Sequence, residues 1–321
     1  MNSSLALLGG EPARTRPFPS WPIFGLEEET RLLSALRSGK WGKLHGDAVA
    51  ELERRFAQMH GCKHGIAVVN GTVALRIALM AAGIRAEQEV IVPPYTFLAT
   101  ATAVVEANAV PVFADVDLET DALASACRSI HNCGRLESGT WYEHHVMSGN
   151  YRLGEFQGAV LNAQLDRLEA QTQTRDRNGR RLAAELSRIP GIYPQKRPAD
   201  CGRHSYHLFL FRVDPAVFGV PRDAILEGLR AEGVPVSAGY ALPLYRQPLF
   251  LNKAFGPYLS HASLGLDYSS ISCPNCEKIC GEQGAWLEQN LLLGLASDME
   301  EIARAFQKVH EHRAVLNRFK S

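Results

Sequence analysis

The sequence predicts an α/β protein: a large α/β domain, shortened internally, followed by a smaller α+β C-terminal domain. Two observations carry this. Strand and helix signals alternate through short loops as far as residue 114, which favours crossover connections and a parallel sheet. After a short unpatterned stretch, "DLETDALASACRSIHNCGR", the chain resumes with a long helix and a mixed set of elements. The organisation expected is an N-terminal arm and large-domain remnant over 1–130, a connecting segment and long helix over 131–190, and a small α+β domain over 191–321.

The elements follow in order. Residues 26–38 read as a helix stopped by Gly39, and Asp47 opens a second whose Val49, Leu52, Phe56 and Met59 share one face. "GIAVV" (65–69) reads as a strand, Asn70-Gly71 as a turn and 72–82 as a helix ended by Gly83. A strand over 88–92, a helix over 96–107 and a strand over 110–114 complete the first half. Three parallel strands this apolar need neighbours and cover on both faces, so more strands should follow.

Beyond the junction, 154–188 is helical, with Phe156, Val160 and Ala163 on one stripe and Leu161, Leu165 and Leu168 on the next, ending at Pro190-Gly191. "HLFLFRV" (207–213) is a strand, Pro221 opens a helix closed by Gly233, and 234–237 is extended. In the last helix Ser297 and Glu300 form a capping box, and Met299, Ile302, Phe306 and Val309 form the buried face.

Composition narrows the function classes. Among 321 residues, 34 basic side chains balance 34 acidic ones, which leaves no electrostatic footprint for nucleic acid or an anionic membrane surface. No apolar run reaches the roughly 18 residues of a membrane span, and the proline-rich N-terminus lacks a secretory pattern, so a cytoplasmic protein is expected. Seven scattered cysteines suit reduced thiols in that compartment.

Three local patterns carry possible chemistry. "VVNGTVAL" (68–75) runs through a glycine turn into a helix whose free first-turn N–H groups suit a phosphate; a plain N-cap at Thr72 explains it equally well. "PPYTFLAT" (93–100) sets Tyr95 and Phe97 at the end of a strand, on the edge where open α/β sheets bind ligands, although aromatic side chains there are more often core. Cys273, Cys276 and Cys280 have metal-like spacing but no matching fourth ligand, so no metal is expected, and the side chains of His144 and His145 diverge.

The stretches "LALLGGEPAR", "NGTVAL", "VIVPPYTFLATATAV", "PVFADVD", "MSGNYRLGEFQGAVLNAQLDRLE" and "GVPVSAGYALPLYRQPLF" together resemble the DegT/DnrJ/EryC1/StrS aminotransferases, pyridoxal-phosphate enzymes of fold type I. "CGR", "WYEH" and "PLY" look closer to the aminohydroxybenzoate-synthase branch. The resemblance implies a homodimer with active sites at the subunit interface and pyridoxal 5′-phosphate as cofactor. Gly71 and Thr72 would hold the phosphate, Phe97 would stack on the pyridine ring with Tyr95 nearby, and Asn150 would reach the phosphate from the partner subunit. Tyr240 and Tyr245 fall in a segment that lines the substrate pocket in relatives.

The resemblance also accounts for the junction. Between "FADVD" and "HNCGR" relatives carry further strands and helices, including an aspartate on the pyridine nitrogen and the lysine that binds the cofactor aldehyde. Here that block is missing, and Lys40, Lys43, Lys63, Lys196, Lys253, Lys278, Lys308 and Lys320 all stand outside such a motif. No catalytic residue is therefore assigned.

Three readings follow: a shortened, impaired aminotransferase; a catalytically inactive paralogue that binds or regulates an intact homologue; and a working transaminase with an improvised lysine. The reaction implied is amino transfer from glutamate or glutamine to a keto sugar or related cyclic ketone.

Overall fold

The computed structural model describes residues 4–115, 150–197, 201–258 and 265–316. The first helix, α1 (Leu26–Ser38), has three glutamates in its first turn, Arg37 in its last, and Gly39 at φ 66 closing it. Both charge placements oppose the helix dipole, and glycine takes the left-handed cap without steric cost. α2 (Ala48–Met59) buries Val49 and Leu52, but Phe56 and Met59 remain 46% and 40% exposed. The expected face is therefore covered only in its first half. Phe56 instead borders an open apolar groove that it shares with Trp21, Leu161 and Leu165.

α3 (Gly71–Ala81), β1 (Glu89–Val92), α4 (Ala99–Glu106) and β2 (Val110–Phe113) follow. β1 and β2 pair in parallel, with Glu89 opposite Val110 and Val92 opposite Phe113. The strand expected over 65–69 does not form. Val68 makes a single antiparallel bridge to Arg152, and the Val69 N–H donates to the Tyr151 carbonyl at 3.2 Å. A strand needs a ladder to lie in, and among the described residues β1 gives this segment none. The parallel sheet is thus a pair, thinly covered, with Ile91 75% exposed.

α5 (Glu155–Leu186) is the 32-residue spine, about 48 Å long at 1.5 Å per residue. α1 and α2 pack along its first half, where Asn162 Nδ2 donates to the Ala48 carbonyl at 2.8 Å. Its second half contributes Leu182 and Leu186 to the C-terminal core.

That core is built on an antiparallel sheet of β3 (Ile192–Pro194), β4 (Leu208–Val213) and β5 (Gly284–Glu288), in the order β3-β4-β5. β4 alternates as a two-residue repeat requires, with Phe209, Phe211 and Val213 inward. α6 (Arg222–Ala231) and α8 (Ala296–Glu311) cover it. Between them, the short α7 (Pro274–Lys278) leads into a π-helical turn over Ile279–Gln283. The expected extended segment 234–237 joins the sheet only at Ser237, whose N–H and carbonyl both bond Trp286 at 3.0 Å. Met299, Ile302, Phe306 and Val309 are all fully buried, as their spacing predicts. The cap of α8 differs: the helix starts at Ala296, and Asp298, rather than Glu300, accepts from the Leu295 N–H at 2.6 Å. Arg14 explains the choice, because its guanidinium reaches the same carboxylate at 2.7 Å.

The N-terminal arm is stitched to this domain. Leu5 is fully buried in the C-terminal core, and the buried Glu232 accepts from the N–H groups of Ala6 and Ala13 and from Lys308 Nζ, each at 2.8 Å.

Candidate functional site

Asn70 enters α3 in an extended conformation, φ −165, and its side-chain oxygen accepts from the Val73 N–H at 2.9 Å. This satisfies the third N–H of the helix. The N–H groups of Gly71 and Thr72 have no partner among the described residues, and a Cβ added at Gly71 would meet nothing within 4 Å. Two open amides at the positive end of an eleven-residue helix make an anion cradle.

They face a cavity of about 770 Å³. Asn70, Gly71, Thr72, Phe97, Thr100 and His64 line it together with the apolar Ile66, Val68, Leu75 and Ile77. Phe97, 66% exposed, stands at its rim. The structure thus brings Gly71, Thr72 and Phe97 together. Asn150 is not among the lining residues, and its side chain accepts from the Arg152 N–H at 3.4 Å.

The three tyrosines lie elsewhere. Tyr95 turns away from the cavity toward the C-terminal sheet, its ring 5.4 Å from that of Tyr240, which stands 5.1 Å from Trp286. Its hydroxyl fits a socket of two glycines: a Cβ at Gly239, where φ is +81, would come within 2.5 Å of it, and one at Gly284 within 2.8 Å. Arg222 organises the same socket by donating to the carbonyls of Ala238, Cys280 and Gly284. Tyr245 is fully buried, and its hydroxyl donates to Glu277 at 2.7 Å while accepting from the Cys273 N–H at 3.0 Å. Its ring packs with Phe113 and Phe250 in a core shared with β1, β2 and α4.

Burial pushes the Tyr95 phenol up to about 12, with Cys280 adding to the shift, and burial alone takes Tyr268 to about 12. A raised phenol stabilises the fold in its neutral form. That contribution is whole below the ordinary value of about 10 and is lost as pH rises through the folded value. The denaturation midpoint should therefore fall as pH climbs from about 10 toward 12, in step with tyrosinate absorbance. A midpoint rising over that window would refute the assignment.

Cys276 and Cys280 are buried with their Sγ atoms 3.9 Å apart, and Asp115 accepts from the N–H groups of Asn275 and Cys276 at 3.1 Å. Among the described residues no three His, Cys, Asp or Glu side chains converge as a metal site would require. His144 and His145 lie outside the described residues. His64 and Thr100 line the cavity without any motif having marked them, and the Gly239–Gly284 socket has no signal beyond the two glycines themselves.

The cavity fits one end of a pyridoxal phosphate and not the other. Its amides and the Thr72 hydroxyl suit a phosphate, and Phe97 offers a ring to stack on. Among the described residues no lysine, aspartate or glutamate lines it, and residues 116–149 contain no lysine. Lys43 pairs with Glu53, and Lys308 with Glu232.

The DegT/DnrJ/EryC1/StrS aminotransferase family profile matches residues 24–121 and 118–283, most of the chain. The 3-amino-5-hydroxybenzoate synthase of Amycolatopsis mediterranei (strain S699) is 28% identical, over 88% of this chain and 94% of that one. The L-glutamine:2-deoxy-scyllo-inosose aminotransferase of Streptomyces fradiae is 28% identical, over 98% of this chain and 100% of that one. A crystal structure of 3-amino-5-hydroxybenzoic acid synthase superposes with a TM-score of 0.77 at 24% identity, covering 94% of this chain and 100% of that one. DesI, in the presence of its TDP-sugar product, superposes at 0.74 and 20% identity, covering 100% of each chain. The fold is therefore that of the fold type I aminotransferases.

The first alignment runs over 375 positions but uses 88% of 321 residues, so roughly ninety positions of that relative face no residue here. The two family matches meet at 118–121, which places the loss immediately after β2 and Asp115. The chain is thus a member of the pyridoxal-phosphate-dependent DegT/DnrJ/EryC1/StrS aminotransferase family in which an internal block of the large domain is missing.

Proposed function

We propose that this chain is an impaired member of its family, derived from enzymes that move an amino group from glutamine or glutamate to a keto sugar or cyclic ketone. One observation carries the reading: among the described residues, no lysine, aspartate or glutamate lines the cavity into which the Gly71–Thr72 cradle opens. Bound pyridoxal phosphate supplies an electron sink, which an amine on its aldehyde and a carboxylate on its ring nitrogen serve. The described lining can bind and orient by the phosphate and holds no lysine to shuttle the proton. Loss of general acid–base assistance alone costs about 10²- to 10⁴-fold in rate. With glutamine and 2-deoxy-scyllo-inosose, turnover should lie at least about 10²-fold below that of an intact relative assayed alongside. Comparable rates would refute the proposal.

A second reading, an inactive paralogue that partners an intact homologue, is compatible with the surface of α1, where Leu26, Leu32, Leu33 and Leu36 are all exposed beside Phe24 and Trp41. An apolar array of this kind marks a contact surface, and it would serve a homodimer equally. Co-purification of differently tagged copies, with and without an intact relative, separates the two. The reading also places the protein in the cytoplasm; no helix among the described residues is long and apolar enough to cross a membrane.

A further inference from the structure

We infer that this chain holds a vitamin B6 phosphate by phosphate and ring alone, so that its cavity does not distinguish pyridoxamine 5′-phosphate from pyridoxal 5′-phosphate. The inference deepens the proposed function and rests on the same missing amine.

A site with a lysine favours the aldehyde, because only the aldehyde can form a carbon–nitrogen bond to it. The amine form must rely on its phosphate and ring. In this cavity the polar atoms are the free N–H groups of Gly71 and Thr72, the hydroxyls of Thr72 and Thr100, the Asn70 side chain and the His64 ring. None is a primary amine. Asn70 is already engaged by the Val73 N–H at 2.9 Å and the Thr100 hydroxyl by that of Thr96 at 3.2 Å, so the two open amides and the Thr72 hydroxyl remain for the ligand. The remaining walls are apolar, and Phe97 stands exposed at the rim, where it meets a flat ring whether the substituent is an aldehyde or an aminomethyl group. The groups that bind are thus those the two forms share.

The same reasoning makes inorganic phosphate a competitor for both, because the cradle recognises the part of the ligand it resembles. It also makes Thr72 and Phe97 act alike on the two forms. Thr72→Val removes one donor and Phe97→Ala removes the stacking surface, so each should weaken both forms by the same factor, about three- to tenfold.

Equilibrium dialysis of the full chain against each form, with and without inorganic phosphate, tests this. Borohydride treatment and peptide mass mapping follow. The expected result is dissociation constants within about threefold of each other, displacement of both ligands by phosphate, equal losses in the two variants and no stoichiometric pyridoxyl group on any peptide. Preference for the aldehyde by tenfold or more, a pyridoxyl group fixed to one lysine, or binding of neither form would overturn the inference. Melting curves of the variants establish that they fold. The outcome is independent of the turnover assay: equal binding alongside rapid amino transfer would refute the proposed function and leave this inference standing.

Discussion

Glu232→Ala is expected to lower the unfolding free energy by about 3–5 kcal/mol, the usual cost of removing one partner of a buried charged pair. Glu232 is fully buried, and its carboxylate accepts from two backbone N–H groups of the arm and from Lys308. Alanine leaves both N–H groups without their acceptor and strips Lys308 of its counter-charge, although Lys308 keeps the Glu11 carbonyl at 2.6 Å. Leu5, fully buried beneath the same strap, should then become exposed. Urea denaturation gives the magnitude, and faster proteolysis at Arg14 and Arg16 reports release of the arm. Glu232→Ala combined with Lys308→Met should recover part of the loss, since no lone charge then remains. A single variant within 1 kcal/mol of the parent would sink this account.

Phe306→Ala should cost a similar 3–5 kcal/mol by a different route. The ring is fully buried and meets Phe211 edge-on, with centroids 5.3 Å apart, beneath the β-sheet. Its removal forfeits apolar transfer energy and leaves a cavity that the surrounding packed side chains close only in part. Phe97→Ala, at the same residue type but two-thirds exposed, should stay within about 0.5 kcal/mol. Equal losses in the two variants would show that burial is not what sets the cost.

Local periodicity made much of the fold legible. The bounds of α1, the alternation of β4 and the buried face of α8 follow from the spacing of side chains within each element, and they appear where the sequence places them. Residues 65–69 did not become a strand because a ladder depends on a neighbour, and strand propensity cannot supply one. The cap of α8 departs from the sequence pattern for a related reason: Asp298 is fixed by Arg14, which lies 284 positions earlier. Gly71, Thr72 and Phe97 line one cavity in keeping with a helix entry and a strand end, whose directions are fixed. Where Tyr95 and Tyr245 point is not legible in the sequence, since it is decided by packing against Gly239, Gly284 and Glu277, none of them close in sequence.

The strap that Glu232 and Asp298 hold down has an implication for biosynthesis. Residues 5–14 leave the ribosome well before the groups that seat them, since Asp298 follows Arg14 by 284 positions and Lys308 comes later still. That stretch must therefore wait, apolar and unsheltered, until those groups have been synthesised.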